Sequence, residues 1–294
     1  MKTKIKANIY LWLTAIIWGL AFVAQRIGGD HISAFAYNGI RFFIGAITLI
    51  PVFLIFEKNK GDAKKQKLTL ITGVVCGIIL FLASSLQQLG IVTTGAGKAG
   101  FLTGLYTVIV PIIGFFIGRK TTIFTWIGVI CAAFGLYLLS FQGSFSITSG
   151  DIMLISCAFL FAFQMTIIDK YIPNINPLRF SFWQFITTAV LSSIVSLIFE
   201  TVSFNDIKLA AWPILYGGFL SVGVAYTLQI LGQRDSDPTY AAIVFSTESV
   251  FAAIGGMLFL GELMPVQGYI GGALIFAGII ISQFKKRSKS NAKV

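Results

Sequence analysis

Residues 245–256 read FSTESVFAAIGG, with one carboxylate, Glu248, among small and apolar side chains. The surrounding run, Tyr240 to Leu260, has the length and apolarity of a membrane-spanning helix, because a hydrocarbon core about 30 Å thick takes about 20 helical residues. A charge at the centre of such a helix costs about 3 kcal/mol on insertion scales. Glu248 is therefore expected to be paired, protonated or exposed to a water-filled cavity.

The rest of the chain supports a lipid solvent. Of its 294 residues, 11% are charged and 56% hydrophobic, and mean hydropathy is +0.86. Soluble proteins carry about 25% charged residues. This balance excludes a soluble enzyme and defines an all-α integral membrane protein. The net charge of +11 does not point to nucleic acid, since the basic residues fall in short segments between apolar runs and in the tail KKRSKS. That is the pattern of topology signals facing acidic headgroups. Cys76, Cys131 and Cys157 lie inside apolar runs without metal-ligand spacing, and His31 is the single histidine. No metal or cofactor is expected. The N-terminal apolar run is too long for a signal peptide and reads as a retained first span.

Ten apolar runs fit, near 8–27, 33–56, 68–92, 97–117, 121–141, 150–171, 178–200, 209–232, 238–260 and 265–284. With the N-terminus in the cytoplasm, the inner segments collect Lys58, Lys60, Arg119, Lys120, Arg179, Arg234 and the tail, and the outer ones keep Arg26, Lys98 and Lys208. The asymmetry predicts both termini inside a cell membrane.

The chain also repeats at a shift of 143. Trp18-Gly19 meets Phe161-Ala162, Arg41-Phe42 meets Gln184-Phe185, and Gly118, Gly128 and Gly135 meet Gly261, Gly271 and Gly278. This predicts a five-helix repeat at 8–141, a second at 150–284 and a basic cytoplasmic tail at 285–294. Five is odd, so the second repeat must be inverted, as in many alternating-access carriers. Small residues four apart, such as Gly100 and Gly104 or Ala252 and Gly256, mark close helix contacts.

The stretches WGLAFVAQR (18–26), TTGAGKAGFLTGLYTVIVPIIGFFIGRK (93–120) and DPTYAAIVFSTESVFAAIGGMLFLGE (237–262), with the closing GGALIFAGIII (271–281), resemble EamA-type members of the drug/metabolite transporter superfamily. The resemblance covers nearly the whole chain. It implies ten helices in two inverted repeats, a central cavity, and export of amino acids, other metabolites or toxic compounds. The chain departs from the family pattern at Ser249, where a proline is frequent, and at Gly-Arg-Lys 118–120, where Gly-Glu is common.

The candidate cavity residues are Trp18, Arg41, Gln87, Tyr106, Gln164, Trp183, Tyr226, Gln229 and Glu248. Arg41 and Glu248 are the clear intramembrane charges and come from different repeats. One or both are expected to face the cavity, where they pair or bind a polar substrate group; the alternative is a purely structural role, as a permanent ion pair or with Glu248 hydrogen-bonded to neighbouring backbone. Amide side chains in lipid need partners, which favours inward facing. Lys98 is expected to snorkel to the outer headgroups, and Asp169 and Lys170 to form an interface pair.

The function expected is secondary transport of a small molecule, an amino acid or related compound, by a monomer or homodimer in the lipid bilayer. The alternative is an integral membrane enzyme acting on a lipid, for which the only acidic cluster is RDSDP at 234–238. Its Asp237 and Pro238 read as a helix start instead. A channel needs a ring of repeated polar groups, which one duplicated chain fits poorly.

Overall fold

A computed structural model describes residues 2–56, 62–119, 121–140, 148–263 and 266–282. The expected basic tail, 285–294, lies outside the described residues, as do Lys58, Lys60 and Lys120. Among the described residues the regular structure is helical throughout, as lipid demands, because a helix satisfies its own backbone hydrogen bonds. The first half contains α1 (Lys2–Gly29), α2 (Ala34–Phe56), α3 (Ala63–Thr94), α4 (Ala96–Gly104), α5 (Tyr106–Phe116) and α6 (Ile123–Ser140). The second contains α7 (Ser149–Tyr171), α8 (Pro177–Phe199), the short α9 (Phe204–Leu209) and α10 (Ala211–Leu215), a wide-bore π segment (Tyr216–Tyr226) and α11 (Thr227–Arg234). It closes with α12 (Pro238–Phe245), α13 (Glu248–Leu260) and α14 (Val266–Ser282).

Among the described residues eight helical runs are long and apolar enough to cross a membrane, and two apolar helices, Ile123–Leu138 and Val266–Ser282, are shorter. The sequence predicts ten crossings. The two short helices border segments outside the described residues.

Local chemistry sets the ends. Asp237 caps α12, its Oδ1 accepting from the backbone N–H of Thr239 (2.9 Å) and Tyr240 (3.2 Å), with Pro238 in the first turn. Thr148 and Asp151 form a reciprocal capping box on α7, which satisfies orphan donors at the helix start. The chain turns out of α5 at Gly118 (φ 79°) and out of α13 at Gly261 (φ 67°), left-handed positions that glycine fills without steric cost.

Equivalent helices of the two halves pack antiparallel. A Cβ on Gly128 or Gly278 would sit 2.6 Å from the other's carbonyl oxygen, and Gly135 abuts Gly271 in the same way. Along α6 the contact climbs from 128 to 135 while along α14 it falls from 278 to 271, so the helices run in opposite directions. The contacts Gly128–Gly278 and Gly135–Gly271 are exchanged by the 143-residue shift, which places a pseudo-twofold axis between them. The pair α2 and α8 repeats the pattern, with Gly39 against Ser193 and Phe53 against Phe182.

One expectation is corrected. The fourth and ninth runs are not unbroken helices. Each turns tightly near its middle, at Leu105 and at Ser246-Thr247. There the backbone bonds shorten to three residues, Leu105 to Leu102 and Val108 to Leu105 in one half, Thr247 to Val244 and Val250 to Thr247 in the other. Ser246 and Thr247 each donate their hydroxyl to the carbonyl three residues back, both at 2.7 Å, a bond that bends helices.

Candidate functional site

The two breaks meet at the molecular centre. The hydroxyl of Thr107, at the start of α5, donates to the carbonyl of Ala242 in α12 at 3.0 Å. The hydroxyl of Ser249, at the start of α13, donates to the carbonyl of Gly100 in α4 at 2.7 Å. Each bond is the pseudo-twofold copy of the other, at a shift of 142 residues around the breaks. Gly100 also packs against Ala252, a Cβ there falling 3.2 Å from the alanine methyl. The four half-helices are thereby laced together.

Beside them lies a small chamber with a cavity volume of about 30 Å³. Its wall includes Trp18, Arg41, Gln87, Tyr106, Tyr226, Gln229 and Glu248, seven residues singled out from the sequence. Glu248 is 3% exposed and opens α13, where the helix dipole favours a carboxylate. Its Oε1 accepts a 2.9 Å hydrogen bond from the Tyr106 hydroxyl. Arg41, also 3% exposed, sits two turns into α2. Its Nε donates to Asn38 Oδ1 at 2.9 Å, and its guanidinium lies 5.1 Å from the Tyr37 ring centre and 5.0 Å from that of Phe42. No ion pair joins Arg41 to Glu248 among the described residues. Arg41 is held within the first half by Asn38, Glu248 is held across the two halves by Tyr106, and both line the chamber.

Aromatic packing fixes the wall between them. Trp18 meets Tyr226 edge-on at 4.7 Å and Phe245 at 5.5 Å, and its indole N–H donates to the Ser221 carbonyl at 3.3 Å. Tyr226 and Ser221 belong to the π segment, a geometry frequent at functional sites. The side-chain oxygens of Gln229 and Gln25 are buried without a hydrogen-bond partner, and both residues line the chamber. Each leaves an acceptor for water or a ligand.

Gln164 and Trp183 lie elsewhere. Gln164 Nε2 donates to Gln184 Oε1 at 2.9 Å, joining α7 to α8 away from the chamber. Trp183 sits in the α3–α8 contact, beside Gly73 and edge-on to Phe182 at 5.4 Å. Conversely, Gln25, Thr103, Ser221 and Met165 line the wall without having been singled out. Gln25 carried a usable signal, an amide seven residues past Trp18 inside an apolar run.

Two surface expectations change. Lys98 does not reach for headgroups alone; its Nζ pairs with Asp151 Oδ2 at 2.7 Å, tying α4 to α7. Asp169 pairs with Arg119 rather than with Lys170, whose ammonium lies over the Tyr171 ring. In the RDSDP cluster, Asp235 pairs with Arg234 at 3.2 Å and Asp237 is the cap described above, so both acids have structural duties.

A duplicated helical bundle that spans a membrane and closes around a buried polar chamber defines a membrane transporter, and comparison with known proteins agrees. The pattern of the EamA-like transporter family matches residues 5–141 and again 148–284, and the chain belongs to that family. It is similar to an uncharacterized transporter of Archaeoglobus fulgidus, 33% identical over 95% of this chain and 86% of the relative. It is also similar to the uncharacterized transporter YoaV of Bacillus subtilis, 26% identical over 95% of this chain and 97% of that one. A crystal structure of another protein shares the fold, with a TM-score of 0.76 at 16% identity over 94% of this chain and 96% of that chain.

Proposed function

We propose that the protein is a secondary transporter that exports a small amino-acid-like metabolite across the cell membrane by alternating access. In this reading the chain crosses the bilayer ten times, as two inverted five-helix repeats at 8–141 and 150–284, with both termini in the cytoplasm. The antiparallel packing of α6 with α14 and of α2 with α8 supports the inversion.

One observation carries the substrate class. Arg41 and Glu248 reach the same chamber from different halves without pairing with each other. Buried charges in a membrane persist only with partners or a wet cavity. A small zwitterion supplies a carboxylate for Arg41 and an ammonium for Glu248, and the open acceptors of Gln25 and Gln229 suit further N–H donors. The chain carries no Walker A loop, so the energy is a gradient and not ATP bound to this chain.

Purified protein reconstituted into vesicles tests the reading. Vesicles preloaded with labelled amino acids are expected to release at least one of them only when they contain the protein. Release indistinguishable from protein-free vesicles across the amino acids would remove the substrate class. Release of nucleosides or organic cations instead would keep a transporter and replace its cargo.

A further inference from the structure

The two ends of the bundle carry charged side chains at positions that the pseudo-twofold exchanges. The register is fixed by packing. Leu154 of α7 seats on Gly90, with the Gly150 carbonyl beside it, and Leu11 of α1 seats on Gly232, with the Ala7 carbonyl beside it. Leu11 and Leu154, like Ala7 and Gly150, are 143 positions apart. The same register carries Arg26 of α1 onto Asp169 of α7. At the other partner, Arg119 follows the left-handed Gly118 and Glu262 follows the left-handed Gly261, so Arg119 is carried onto Glu262.

Arg119 and Asp169 are joined at their end of the molecule. Their copies, Glu262 and Arg26, have the charges swapped and are parted. Arg26 Nη1 is held by Asp30 Oδ1 at 2.5 Å within its own helix end. The Glu262 carboxylate accepts from the backbone N–H of Ala96 (3.2 Å) and Gly97 (3.4 Å) at the start of α4. Contacts of Gly19 with Phe251 and of Gly255 with Val23 show that α1 and α13 run side by side in the same direction. Arg26 and Glu262 therefore share one end of the bundle, opposite the Arg119–Asp169 end.

We infer that Arg26 and Glu262 form a gating ion pair in the opposite transport state, closing that end as the Arg119–Asp169 pair opens. Inverted-repeat carriers rock one repeat against the other around a fixed site, and an exchange of conformations between the two repeats would join at the other end the copies of what is joined here. Attraction survives the exchange only because both charges swapped together. Asp30 and the α4 amides hold the two side chains in the meantime. The inference rests on the alternating-access reading.

Chemical cross-linking tests it without a known substrate. The full-length Arg26→Cys/Glu262→Cys protein in native membranes is treated with a short bis-maleimide, and cross-linked peptides are quantified by mass spectrometry. Adding Asp169→Asn, or Arg119→Gln as an independent second background, is expected to raise the 26–262 cross-link about two- to fivefold, the scale of a partly exposed ion pair. The swapped double variant Arg119→Asp/Asp169→Arg is expected to return it to the starting level. An unchanged yield in both neutralised backgrounds, or a swap that fails to restore it, would overturn the inference. Vesicle release in the parent protein separates the two ideas: release intact with an unresponsive cross-link discards the gate and keeps the carrier.

Discussion

Tyr106 donates its hydroxyl to Glu248 at 2.9 Å across 142 residues of chain, and the two residues hold the same place in their halves. Each is the first residue of the half-helix that follows a mid-membrane break. The repeat thus meets itself at the chamber, with a phenol on one side of the axis and a carboxylate on the other. The duplication supplies the scaffold, and the difference between the two copies supplies the chemistry.

Removing the phenol separates holding from binding. Tyr106→Phe deprives a buried carboxylate oxygen of its donor, a loss of about 1–3 kcal/mol. A lower apparent unfolding temperature in detergent is expected. Glu248→Gln keeps an acceptor for Tyr106 and removes the charge. It is expected to fold with near-parent stability and to lose release of the zwitterion; full release would take Glu248 out of the mechanism.

Arg41→Lys keeps a positive charge and loses the Nε bond to Asn38 and the flat face against Tyr37 and Phe42. Lysine cannot replace such a fork. The expected result is weaker substrate binding by about tenfold, read as a higher half-saturating concentration. An unchanged value would place Arg41 outside the binding geometry.

The amide pair Gln164–Gln184 gives the converse prediction. Gln164→Leu leaves the Gln184 amide without its partner between α7 and α8, at a cost of about 1–3 kcal/mol. Stability should fall while release per folded molecule persists. Gln87→Leu, on the chamber wall, is expected to reduce release with less effect on stability.

The glycine crossing of α6 and α14 tolerates no added carbon. Gly128→Ala would place its methyl against the Gly278 carbonyl oxygen. Overpacking of this kind costs about 1–3 kcal/mol, so a lower unfolding temperature is expected. An unchanged midpoint would mean that the two helices part easily.

Much of the architecture was legible because lipid imposes it. The apolar runs locate the helices, and the glycines at 128, 135, 271 and 278 show the repeat because the close crossing requires them. The mid-membrane breaks were not legible. Ser246 and Thr247 bend the chain through hydroxyl bonds that the same residues need not make in another helix. In the site, the buried charges of Arg41 and Glu248 stand out against hydrocarbon. Gln164 and Trp183 did not separate from Gln87 and Trp18, since a helix apolar on every side does not reveal which face looks inward. Charge partners escaped for a similar reason. Asp169 sits beside Lys170 in sequence, but the fold delivers Arg119.

The central claim is a chamber that opens to each side of the membrane in turn. A cysteine in place of Ser221 on the chamber wall, with Cys76, Cys131 and Cys157 changed to alanine, reports this directly. The measurement is labelling by a membrane-impermeant maleimide, applied from one side in right-side-out vesicles and from the other in inside-out vesicles. Labelling from both sides, slowed by the transported substrate, is the result predicted here. Labelling from one side alone, whatever the substrate, would contradict it.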